Sequence, residues 1–193
     1  MFTKVAVKIT ANLERENVIA SEDRELYVFG IQQGLTMILN FATMIIVGLV
    51  IGVFWHILVF AFAYMPLRSF AGGYHAKTPL RCYVASTAMV VFVAVSARIV
   101  VYSSLLMVAL PLLALVCATL ILILAPLGSE NKPLDDIELK VYKKKTLYVC
   151  AIEITILFVL LVLGIQFVAL GIQFALIATF MLIAVEKVRF LGN

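Results

Sequence analysis

Charge is what this chain has least of. Asp, Glu, Lys and Arg make up 13% of its residues, where soluble domains carry about 25%. Apolar residues make up 64%, well above the about 45–50% of a soluble domain. One small core cannot absorb that much apolar surface, so a soluble globular enzyme is excluded and a polytopic membrane protein is indicated. Strict alternation of apolar and polar residues is also missing. The apolar runs are continuous, and since lipid satisfies no backbone group, the spans must be helices rather than barrel strands. The expected fold is all-α: one transmembrane domain over residues 1–193 with about six membrane helices.

Cysteine and histidine are equally scarce. The three cysteines, Cys82, Cys117 and Cys150, show no paired spacing, so no disulfide framework is expected. Cys117 falls mid-span and Cys150 near the start of a span, where small buried apolar residues belong. The two histidines, His56 and His75, do not make a tetrahedral metal site with the cysteines. No metal and no cofactor are expected. Residues 1–25 lack the basic start, apolar middle and small-residue cleavage site of a secretory signal. Phe2, Val5, Ile9 and Leu13 recur there at helix spacing beside Lys4 and Lys8, which predicts a short amphipathic helix, lying on the membrane surface or, as an alternative, plainly solvated.

Hydropathy predicts spans over 29–48, 51–67, 80–101, 104–127, 146–163 and 172–185. The first two are short for a hydrocarbon core of about 30 Å and share a tight turn, so a re-entrant hairpin is an alternative to two crossings. Trp55 and His56 beside that turn read as interfacial anchors. Arg98 reads as snorkelling from the end of the third span. A charge-free turn with Gly164 and Gly171 precedes the last span. The net charge of +4 speaks for topology and lipid contact, not for nucleic acid. Lys and Arg collect in the N-terminal segment, in loops 68–82 and 128–145, and in the tail. Six crossings put all of these on one side, so both termini and both loops are expected in the cytoplasm.

The loop Arg68-Ser69-Phe70-Ala71-Gly72-Gly73-Tyr74-His75-Ala76-Lys77-Thr78-Pro79-Leu80-Arg81-Cys82 concentrates what the rest lacks. It holds a His, a Cys, two adjacent glycines and three cations, with no carboxylate. On one straight helix His75 and Cys82 would stand about 10.5 Å apart along the axis, beyond proton-transfer reach. Pro79 breaks that helix: Thr78 reads as an N-cap and Pro79 as the first helical residue. Cys82 then sits in the opening turn of a helix, beside Arg81, where a thiolate is favoured. His75, on the preceding loop, can fold back as base and later acid. The helix-end N–H groups offer an oxyanion site. The same basic loop also satisfies the positive-inside rule without any chemistry.

The run from Leu67 to Thr78, with a cysteine seven residues after the histidine, resembles the signature of the accessory gene regulator B family, the membrane endopeptidases of bacterial quorum sensing. Ala125-Pro126-Leu127-Gly128-Ser129-Glu130-Asn131-Lys132-Pro133-Leu134 is similar to that family's second loop. The resemblance implies a cysteine-type endopeptidase of the bacterial cell membrane with His75 and Cys82 as its catalytic pair. Arg68 and Gly73 match motif positions associated with activity. The implied substrate is a short propeptide, accessory gene regulator D-like, whose acidic C-terminal tail is removed. The signal segment stays on the cysteine as a thioester until its own Cys or Ser attacks to close a thiolactone or lactone. A homodimer is also implied. Lys77, Arg81, Lys132, Lys143, Lys144 and Lys145 are candidate partners for the acidic tail, and lipid headgroups account for the triple lysine equally well. Gln33 is the first candidate to orient His75 and Gln32 the second; neither carries the charge of a carboxylate. Glu153, about two turns inside the fifth span, is a further candidate as a membrane-embedded acid.

Two other classes compete. A small peptide transporter or exporter would line several spans with polar or charged groups, and these span interiors are nearly bare of charge. A non-catalytic membrane scaffold would leave Cys82 with ordinary thiol reactivity.

Overall fold

The computed structural model describes residues 2–73, 78–128 and 134–192. The helices are α1 Thr3–Arg15, α2 Arg24–Ile51, α3 Phe54–Ala71, α4 Pro79–Val100, α5 Ser104–Leu124, α6 Asp136–Val162 and α7 Gln166–Gly192. Six of them, α2 to α7, are long and apolar enough to cross a membrane. Together with the absence of strands among the described residues, this makes the chain an all-α multi-pass membrane protein.

The N-terminal helix forms as its periodicity predicts, with one face turned inward. Ala6 and Thr10 are buried, while Val5 and Ile9 of the expected apolar stripe are exposed. An ion pair of 3.6 Å between Glu14 and Arg24 ties α1 to the start of α2.

Both helices of the first pair are long and apolar enough to cross. At 28 residues, α2 is about 42 Å long and overspans the hydrocarbon, and the 18-residue α3 at about 27 Å nearly matches it. Gly52, left-handed at φ 76°, closes α2 in the tight turn. Gly48 lets the two helices approach: a Cβ there would stand 3.1 Å from the Phe54 Cα and 3.3 Å from the Ile57 Cβ. His56 is not an interfacial anchor. It is buried and its ring packs edge-on against Phe167 at 4.3 Å. Trp55 is exposed, as an anchor requires. Arg98 lies exposed with its guanidinium 5.4 Å from the Tyr102 ring.

The last helix is the centre of the bundle. Every residue from Ala169 to Leu176 is buried. It runs parallel to α3 in close register: His56 meets Phe167, and a Cβ on Gly171 would fall 2.7 Å from Val59. Gly171 therefore lies inside α7 at a point of close helix approach, not in the turn before it. Gly164, at φ 71°, makes that turn alone.

The second loop is shorter than hydropathy suggests. α6 begins at Asp136, ten residues before the predicted span, because Asp135 and Glu138 form a capping box. The Glu138 N–H donates to Asp135 Oδ1 at 2.6 Å and the Asp135 N–H donates to Glu138 Oε2 at 3.4 Å. Lys143, Lys144 and Lys145 therefore lie on a helix. α5 ends at Leu124, which frees Ala125, Pro126 and Leu127 for the loop.

Candidate active site

Cys82 lies in the first turn of α4, half-buried. Thr78 is the N-cap and accepts from the Arg81 N–H at 3.3 Å; Pro79 follows at the first helical position. The Cys82 N–H donates to the Thr78 carbonyl at 3.0 Å. These bonds narrow the expected oxyanion site. Of the helix-end groups, Pro79 has no N–H and those of Arg81 and Cys82 are engaged. The Leu80 N–H has no partner among the described residues.

The glycines before Cys82 are fixed by what they touch. Gly72 and Gly73 take φ values of 76° and 107°, where a side chain is strained. The Leu127 N–H donates to the Ala71 carbonyl at 3.1 Å and the Gly73 N–H donates to the Leu127 carbonyl at 3.3 Å. This short bridge joins the two loops that carry the sequence motifs. A Cβ on Gly72 would fall 2.1 Å from the Leu127 carbonyl oxygen, and one on Gly73 would fall 3.2 Å from the backbone of α7 at Leu182 and Ile183.

Arg68 ends α3. Its guanidinium donates to the Gly72 carbonyl and, at 3.4 Å, to the Gly73 carbonyl, satisfying groups that a helix end leaves exposed. The side chain thus shapes the turn two residues before His75. Phe70 pins the same segment to α6: its ring lies 6.1 Å from that of Tyr142 and 4.9 Å from the Lys145 ammonium.

A cleft of about 510 Å³ opens beside Cys82. Among the predicted residues, Cys82, Arg68 and Gln33 all line it. Tyr64, Ser86 and Tyr142 line it too, and sequence reasoning missed them. Helix spacing was the available signal for two of these: Ser86 is one turn beyond Cys82, and Tyr64 one turn before Arg68. Thr43 donates to the Leu39 carbonyl and accepts from the Tyr83 hydroxyl, both at 2.9 Å, which ties α2 to α4 at the cleft.

Other predicted residues lie elsewhere. Glu153 is buried on α6 and does not line the cleft; it stands about 16 Å along the helix from Tyr142. Gln32 is half-buried and also off the cleft. Arg81, Lys143, Lys144 and Lys145 are exposed. The three lysines are successive helical residues about 100° apart, so they fan around α6 and make no single patch. Lys144 lies 5.8 Å over the Tyr148 ring. His75, Lys77 and Lys132 lie outside the described residues. Glu186 near the end of α7 was not foreseen: it is fully buried, 3.9 Å from Arg189. Cys117 and Cys150 are buried free thiols, and no group of three metal-ligating side chains occurs among the described residues.

Comparison with known proteins agrees with both motifs. The sequence model described as accessory gene regulator B matches residues 4–185. No curated protein and no solved structure matches the chain.

Proposed function

The chain belongs to the accessory gene regulator B family of quorum-sensing proteins, and on that footing we propose that it is a membrane-embedded cysteine endopeptidase that matures a cyclic signal peptide. The observation that carries this reading is the position of Cys82: half-buried at the head of α4, beside a large cleft, between two loops joined backbone to backbone.

His75 takes the Cys82 proton, and the thiolate attacks the scissile carbonyl of the propeptide. The Leu80 N–H, which has no partner among the described residues, serves as a main-chain donor to the developing oxyanion. As the C–N bond breaks, the protonated His75 gives its proton to the leaving amine, and the C-terminal tail departs. The signal segment remains on Cys82 as a thioester. A Cys or Ser of that segment then attacks the thioester carbonyl, His75 accepts its proton, and the Cys82 thiolate is expelled and reprotonated. The ring closes with no water consumed. A cleft set into the bilayer edge keeps water from the thioester.

In this reading the site end faces the bacterial cytoplasm. Arg81 and the exposed lysines of α6 supply cations for an acidic tail, with Lys77 and Lys132 alongside. The protein acts as a homodimer in the cell membrane and needs no cofactor. Cys82→Ala and His75→Ala are each expected to abolish propeptide cleavage while membrane insertion is kept. Immunoblots of propeptide co-expressed with each variant measure this, and processing that survives either change contradicts the mechanism.

A further inference from the structure

The cleft beside Cys82 runs inward. From Cys82 to Val90, both at its lining, is about 12 Å of helix rise along α4. From Gln33 to Met44, also at its lining, is about 16 Å along α2. Gly48 lies against Phe54 and Ile57, so in the antiparallel α2–α3 pair Gln33 is level with the end of α3 and Met44 with Phe60. The cleft therefore descends from the level of Cys82 and Gly72 toward the middle of the bilayer.

Its lining is specific in kind. Gln33, Asn40 and Thr43 of α2 and Ser86 and Thr87 of α4 bring uncharged hydrogen-bonding groups. The Thr87 hydroxyl is buried without a partner among the described residues. Met37, Met44, Met65 and Met89 bring flexible apolar surface from three helices. No Asp, Glu or Lys occurs in the described lining, and its one cation, Arg68, holds the Gly72 and Gly73 carbonyls.

We propose that this cleft is the acyl-side subsite: it receives about four uncharged, non-helical residues immediately N-terminal to the scissile bond. The proposal rests on the peptidase reading above. Three physical requirements meet here. Backbone that is not helical survives at membrane depth only where a protein supplies hydrogen bonds, and the amide and hydroxyl groups of α2 and α4 do so. A cationic substrate side chain would find no carboxylate in the described lining, and an anionic one would find only Arg68, at the Cys82 end and engaged with two carbonyls, so charge is excluded from the deeper part. Methionines repack around different apolar side chains, so the subsite selects for apolarity and length more than for one sequence. The leaving half takes the other direction, toward the exposed Arg81 and the lysines of α6.

Peptidyl chloromethyl ketones test this on the full protein in lipid vesicles, because they place residues on the acyl side and then alkylate the thiol. The probes are acetyl-Ala-Met-Val-Phe-chloromethyl ketone, the same reagent with Asp for Met, and iodoacetamide as a small control. Alkylation of Cys82 is followed by mass spectrometry. The uncharged peptide reagent is expected to react at least tenfold faster than the Asp version. Met89→Trp, which fills the deep end, and Asn40→Leu, which keeps the volume but removes the amide, are each expected to slow the uncharged reagent at least fivefold. Both leave the iodoacetamide rate within twofold. Equal rates for the two peptide reagents, or two variants that react like the parent, overturn the subsite even where a propeptide thioester forms on Cys82. Absence of that thioester with every propeptide tried overturns the peptidase reading itself, and the subsite with it.

Discussion

In the proposed reaction Arg68 is a positioning residue. Its planar guanidinium donates to two successive carbonyls, those of Gly72 and Gly73, and so fixes the chain just before His75. A lysine keeps the charge but has no rigid fork to hold both acceptors together. Arg68→Lys is expected to lower kcat/KM for propeptide cleavage about tenfold, the equivalent of about 1.4 kcal/mol, with insertion unchanged; vesicle assays with a titrated propeptide measure it, and a parental rate contradicts the positioning role. At this scale the sequence was most readable where the physics is local. Thr78 as N-cap and Pro79 as first helical residue follow from capping rules, and the structure has both. The Gly72–Leu127 bridge was not readable, because it joins residues far apart along the chain that only the folded bundle brings together. Gln33 stood out by its chemistry as a polar side chain in a span, whereas its place on the cleft wall depends on tertiary packing in the same way.

Among the helices, α6 departs furthest from its predicted bounds. A hydropathy window registers only the part of a helix that faces lipid, and so it left the charged first turns as loop. The signal that fixes the true start was present as Asp135 and Glu138, a capping box spaced as the rule requires. Asp135→Ala removes it and is expected to cost about 1 kcal/mol, confined to the start of α6. Hydrogen exchange at the amides of 136–139 should quicken several-fold while exchange in the spanning part is unchanged; no change in either contradicts the capping account. Gly171 teaches the converse. Glycine in a polar-poor stretch reads as a turn, yet here it is a spot where α7 packs closely on α3. Nothing in one sequence separates a turn glycine from a packing glycine when both neighbours are apolar. Gly164 and Gly171 looked alike, and only Gly164 takes a positive φ.

Across the whole molecule, the membrane class was legible from composition, because 64% apolar residues leave few other options, and the six long helices from the run of hydropathy along the chain. Their register was not, since it depends on which small residues face each other across helices. The helices bring the end of α3 and the end of α5 together, joined at Gly72 and Leu127. With the positive-inside rule this predicts a cytoplasmic site end. Single cysteines placed in the parent background at Tyr102 or Gln166, both exposed, should react with a membrane-impermeant maleimide from outside intact cells, and cysteines at Glu138 or Lys187 should not; the reverse pattern contradicts the orientation. The central claim is acyl transfer to Cys82, and the most direct measurement is mass spectrometry of the protein in membranes, quenched early after mixing with a propeptide. The account predicts an adduct on Cys82 equal to the propeptide minus its tail, released by hydroxylamine and absent from Cys82→Ala. Cleaved propeptide with unmodified Cys82 at every time point, or cleavage by the Cys82→Ala protein, would contradict it.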